Sequence, residues 1–159
     1  MRMFDIIEKK KNKQELTKEE IKFVVENYTN GSVPDYQMSA LLMAICINGM
    51  NDNEINYLTY YMLNSGERID LSMFNNTVDK HSTGGVGDKT TLIVTPIVAS
   101  LGDKVAKMSG RGLGFTGGTV DKLESIKGYN ISLTKDEFIN QVRDINIALI
   151  GQSSSIALA

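Results

Sequence analysis

Glycine is unevenly placed in this chain: of 14 glycines, eight fall within residues 84–87 and 110–118. Such clusters mark places where the backbone must turn sharply or approach a ligand closely. Each follows a strand candidate, residues 77–81 and 104–108, and each leads into a helical pattern. A third strand candidate, residues 147–150, follows a capped helix that begins at Thr134 and runs to about Asp144. Strand, glycine loop and helix in repeated order predict an α/β layer for the second half.

The first loop, residues 80–91, reads KHSTGGVGDKTT. A strand that opens through glycines into a helix exposes amide N–H groups and the positive end of the helix dipole, a setting that suits phosphate. Ser82, Thr83 and Thr91 add hydroxyls, and Lys80 or Lys89 adds charge. The spacing fits neither GxxxxGK[ST] nor GxGxxG, so the common nucleotide loops are disfavoured. An ordinary tight strand-to-helix turn is the competing reading. The following helix, residues 90–101, is apolar on several faces, and Pro96 is expected to bend or shorten it.

The second loop, residues 107–124, reads KMSGRGLGFTGGTVDKLE and repeats the combination of lysine, hydroxyls and glycine. A solvated surface loop would also fit. Two such loops from neighbouring strands, however, can clasp one anion between them.

The first half is punctuated as helices. Thr17 and Glu20 match a capping box, followed by Ile21, Val24, Val25 and Tyr28 on one face and by Gly31 as a stop. Pro34 opens a second pattern with Met38, Leu41, Leu42 and Ile45, ending at Gly49. Asn51 and Glu54 cap a third, whose stripe is read as Ile55, Leu58 and Met62, ending at Gly66. With a short helix at residues 3–10, these form a small helical layer. Met38, Met43, Tyr57 and Tyr60 are read as core or subunit-interface residues rather than as a ligand surface.

Residues 1–66 are therefore expected as a helical domain, 67–76 as a linker and 77–159 as an incomplete α/β phosphate-binding domain. At 159 residues the chain can bury one ordinary core, or a helical layer beside an unfinished second layer. Its 42% hydrophobic and 23% charged residues match a globular protein. A net charge of -2 leaves no basic field for nucleic acid or acidic membranes, so any bound anion is held locally. Cys46, the only cysteine, allows no internal disulfide and is expected as core filler. The opening MRMFDIIEKKKNK meets charge too early for a signal peptide, and no apolar run approaches the ~20 residues of a membrane span. The expected location is cytoplasmic, with neither membrane nor nucleic acid as partner.

The segments KHSTGGVGDKTT and KMSGRGLGFTGGTVDKLE resemble the two hallmark segments of the thymidine and pyrimidine-nucleoside phosphorylases. The likeness extends through DIIEKK and YTNGSVPDYQMSALLMAI to the IGQS run at residues 150–153. It implies a helical domain beside an α/β domain, phosphate as co-substrate with a pyrimidine nucleoside, and no organic cofactor. It also implies a homodimer built through the helical layer and domain closure over the substrates.

Carried over by position, Lys80, Ser82, Thr91, Lys107, Met108, Ser109 and Thr119 correspond to the phosphate-binding set. His81, the only histidine, corresponds to the catalytic histidine, which donates to a pyrimidine carbonyl as the base leaves. Backbone carbonyls at Gly87 and Lys89 correspond to part of a potassium site. Phe115 stands where the family commonly has histidine, a change expected to touch loop closure rather than phosphate. The family's pyrimidine-holding residues lie past Ala159, so these 159 residues alone are expected to lack turnover. Two other readings remain: an anthranilate phosphoribosyltransferase-like enzyme, against which the histidine and SGRGLG argue, and a non-catalytic helical dimerisation or anion-binding module.

Overall fold

The computed structural model describes residues 1–82, 88–112 and 117–152. These fall into two compact units, Met1–Arg68 and the residues from Ile69 onward. The fold class is mixed α/β, helical in the first unit and built on a small parallel sheet in the second.

The first unit holds α1 (Met3–Lys11), α2 (Lys18–Thr29), α3 (Asp35–Asn48) and α4 (Asp52–Leu63). The Thr17–Glu20 and Asn51–Glu54 capping boxes both form, each satisfying two amides that the helix start would leave orphaned. Pro34 is the N-cap of α3 rather than its first helical residue; its ψ of 154° is extended. Met3, Ile6, Leu16, Ile21, Val24, Val33 and Leu41 make the core.

Glu54 does more than cap. Its carboxylate is buried and accepts from Lys10 Nζ at 2.7 and 2.9 Å, from Leu16 N at 2.8 Å and from Asn51 N at 2.9 Å. One side chain thereby joins α1, the connection to α2 and the start of α4. It also turns α4: Tyr57, Leu58 and Tyr61 pack on the core, whereas Ile55 and Met62 are exposed. The inward face is thus displaced from the Ile55, Leu58 and Met62 stripe expected from hydrophobicity, because the buried ion pair sets the rotation. Similarly, α3 is apolar all round, and Leu41 and Ala44 point inward. Leu42, Met43, Cys46 and Ile47 face outward, so Cys46 is exposed and is not core filler.

The second unit runs β1 (Thr77–Val78), α5 (Lys89–Ser100), β2 (Lys104–Ser109), α6 (Thr119–Glu124), α7 (Lys135–Ile145) and β3 (Ile147–Gly151). The sheet order is β1-β2-β3, all parallel, with Val78 beside Val105 and Lys107 beside Leu149. Parallel pairing requires crossovers, which α5, α6 and α7 provide. Both faces of β3 are buried, hence its continuous apolar run Ile147, Ala148, Leu149, Ile150. β1 is shorter than the expected 77–81: by Lys80 and His81 the chain has left the ladder. Pro96 lies inside α5 without ending it, and the helix continues to Ser100.

Candidate functional site

The segment that follows β1 and the starts of α5 and α6 meet around one side chain that the sequence patterns did not single out, Asp88. It is the N-cap of α5 and accepts the Thr91 amide at 3.3 Å. The same carboxylate receives the Lys80 ammonium, the Thr91 hydroxyl, the Thr90 hydroxyl at 3.1 Å and the Thr119 hydroxyl at 3.1 Å. Lys80 further donates to Thr91 Oγ1 at 3.2 Å. Three of the expected phosphate residues, Lys80, Thr91 and Thr119, are therefore gathered from both glycine segments onto one anionic group.

Burial reinforces the pattern. Thr91 is 0% exposed, Asp88 7% and Thr119 6%. Burial by itself raises the Asp88 carboxyl, but the Lys80 ammonium and the hydroxyls of Thr91, Thr90 and Thr119 outweigh it and hold the group well below the usual carboxylate range. Asp88 is thus ionised at neutral pH.

Lys107 sits one strand over on β2, 4% exposed, and donates to Lys80 O at 2.5 Å and Asp79 Oδ1 at 3.1 Å. It ties the chain leaving β1 to the sheet and brings a second cation to the strand beside Lys80. Ser82 and Ser109 are half-buried, Ser109 at the end of β2 opposite Gly151. His81 is exposed, as is Met108. Lys89 is the first residue of α5, while Gly87 and Phe115 lie outside the described residues.

The second loop is clipped at its base. Asp121 Oδ2 accepts the Gly112 and Gly118 amides, each at 2.8 Å, and Asp121 Oδ1 takes Arg111 at 3.0 Å, with Glu124 on the same guanidinium. At Gly118 the backbone closely approaches residues 111 and 112: a Cβ there would lie 2.5 Å from the carbonyl carbon of Arg111 and from the Gly112 amide nitrogen. The next residue, Thr119, donates to Asp88. Among the described residues no cluster of His, Cys, Asp and Glu could hold a metal ion, and no helix is long and apolar enough to cross a membrane.

A helical unit followed by an α/β unit is the domain order of a glycosyl transferase family. Residues 4–66 match its helical bundle domain and residues 74–157 its a/b domain, and the chain belongs to this family. It is 60% identical to a pyrimidine-nucleoside phosphorylase of Staphylococcus epidermidis, 59% to that of Geobacillus stearothermophilus and 61% to that of Bacillus subtilis. Each likeness covers 100% of this chain and 37% of the relative, so the chain spans little more than a third of their length. Among solved structures, anthranilate phosphoribosyltransferase from Thermus thermophilus shares the fold with a TM-score of 0.72 at 20% identity, over 92% of this chain and 45% of that one.

Proposed function

We propose that this chain carries the phosphate-holding half of a pyrimidine-nucleoside phosphorylase, a pentosyltransferase that splits uridine, thymidine or deoxyuridine into the free base and a pentose 1-phosphate. The observation that carries the reading is the convergence of Lys80, Thr91 and Thr119, from both glycine segments, on a single anionic centre. Donors grouped around one carboxylate stand close enough together to turn to a single bound oxyanion. The identity to pyrimidine-nucleoside phosphorylases over the whole chain supports phosphate, rather than another anion, as the ligand.

In this reading Lys80, Ser82, Thr91, Lys107, Met108, Ser109 and Thr119 line the phosphate site, with Lys107 supplying charge from the sheet. A phosphate oxygen forms the new bond to the anomeric carbon as the bond to the base breaks, and the electron pair leaves with the pyrimidine. The exposed His81 donates to a pyrimidine carbonyl and stabilises that leaving group.

A potassium ion held by backbone carbonyls would add positive charge at the loop that leads into α5. Of its two proposed ligands, Lys89 opens α5, where a carbonyl in the helix ladder retains a second lone pair. Homodimerisation through the helical unit, a cytoplasmic location and a role in nucleoside salvage belong to the same proposal. The outward apolar residues of α3 and α4, Leu42, Met43, Ile47 and Tyr60, support the dimer.

Turnover tests the reading. A chain of the relatives' full length should release pyrimidine from thymidine or uridine only when phosphate is present. The 159-residue chain should bind phosphate without releasing base. Phosphate-independent release, or none from the full-length chain, would contradict it.

A further inference from the structure

The hydroxyls of Thr91 and Thr119 carry one proton each, and both protons are directed at Asp88 Oδ2. Neither hydroxyl can donate to a bound oxyanion without leaving Asp88. When both leave, Oδ2 keeps no donor among the described residues, whereas Oδ1 keeps Lys80, Thr90 and the Thr91 amide. A buried carboxylate oxygen stripped of its donors beside an anion is strongly disfavoured unless the anion itself supplies a proton.

We infer that Asp88 is a specificity-determining residue of the phosphate site, exchanging the Thr91 and Thr119 hydroxyls for the P–OH of a protonated oxyanion. The exchange balances: two hydroxyl protons turn to the unprotonated phosphate oxygens, and the hydrogen bond from phosphate's own hydroxyl replaces them at Oδ2. No proton changes owner. Hydrogenphosphate and hydrogenarsenate fit this site at neutral pH. Sulfate and monofluorophosphate, similar in shape and charge but without a proton, leave Oδ2 unsatisfied and facing a like charge. The inference rests on the phosphate reading and extends it to the protonation state of the ligand. A site built around one donor from its ligand discriminates strongly against analogues that lack it.

The test is a calorimetric titration of the 159-residue chain with phosphate, arsenate, sulfate and monofluorophosphate at about pH 7.5 and constant ionic strength. Phosphate and arsenate should bind at least about tenfold more tightly than sulfate and monofluorophosphate. In Asp88→Asn the side-chain oxygen still caps α5 and the amide can donate, so the preference should shrink to within about threefold. Thr119→Val should weaken all four anions while keeping their ranking. Equal binding of all four anions by the unsubstituted chain overturns the inference, whether or not Asp88→Asn folds. So does an unchanged preference in a folded Asp88→Asn, which would leave Asp88 as a helix cap only. Failure of phosphate and every other anion to bind the unsubstituted chain would remove the phosphate reading itself and the inference with it.

Discussion

The hydroxyl of Thr119, the first residue of α6, donates to the carboxylate of Asp88, the N-cap of α5, at 3.1 Å across 31 residues of sequence. This bond joins the two glycine segments into one site. The Lys80 ammonium and the Thr91 hydroxyl share the same carboxylate, so the starts of two helices and the end of one strand depend on each other.

The geometry of Gly118 makes that dependence testable. Gly118→Ala places a methyl group against the backbone of Arg111 and Gly112, which are themselves held by Asp121. Backbone cannot yield as a flexible side chain can, so the loop base must open and shift Thr119. The expected result is a loss of about 1–3 kcal/mol in chemical denaturation of the α/β unit, with weaker phosphate binding. Unchanged stability and binding would show that the loop ends are not held as described.

Lys80 and Lys107 should differ in what their loss does. Lys107 is almost fully buried and bonded to Lys80 O and Asp79, so Lys107→Ala should lower stability as well as phosphate affinity. Lys80 is about a third exposed, and Lys80→Ala should reduce affinity by roughly tenfold with a smaller change in stability. Denaturation curves and phosphate titrations of the two variants separate these effects.

In the helical unit, the buried Glu54 carboxylate contributes to the pH dependence, as does Glu20. Burial raises Glu54, but hydrogen bonds from Lys10, Leu16 N and Asn51 N more than compensate, and its pKa lies below the ordinary 4.5. A depressed carboxyl adds stability that is complete above its unfolded pKa and is lost as pH falls through the folded value. The unit should therefore hold its stability near neutrality and lose it progressively below about pH 4.5. Glu54→Gln should cost about 3 kcal/mol at neutral pH, because Lys10 is left buried and unpaired, and should flatten the acid dependence. Lys10→Met combined with Glu54→Gln should be less unstable than Glu54→Gln alone. Equal acid sensitivity of the single variant and the parent would contradict this assignment.

Cys46 lies on the outward face of α3 beside Leu42, Met43 and Ile47, the residues proposed for the dimer, so a thiol reagent should react with it stoichiometrically in the dilute monomer and slowly in the concentrated dimer. Equal reactivity at both concentrations would contradict a dimer through this face, and protection until unfolding at both would place Cys46 in a core.

Much of this was legible in the amino-acid sequence, for physical reasons that also explain what was not. The capping boxes at Thr17 and Thr134 follow local rules and stand where the sequence puts them. The glycine segments were legible because glycine marks backbone that other residues cannot follow closely, as at Gly118. Asp88 was hidden because a lone aspartate after a glycine run reads as nothing more than a helix cap; among the described residues its side-chain donors come from residues 80, 90, 91 and 119. The rotation of α4 and the exposure of Cys46 differ from the hydrophobic pattern for a related reason. Hydrophobic spacing cannot reveal a buried charge pair formed 44 residues apart, nor which side of an all-apolar helix faces inward.

The most direct test of the central claim is a phosphate titration of the isotopically labelled 159-residue chain followed by amide chemical shifts. A phosphate-holding site requires saturable shifts centred on Lys80, Thr91, Ser109 and Thr119, with the helical unit unmoved and the effect weakened at least about tenfold by Lys107→Ala. Shifts that never saturate, or that spread evenly over surface lysines and survive Lys107→Ala, would contradict it.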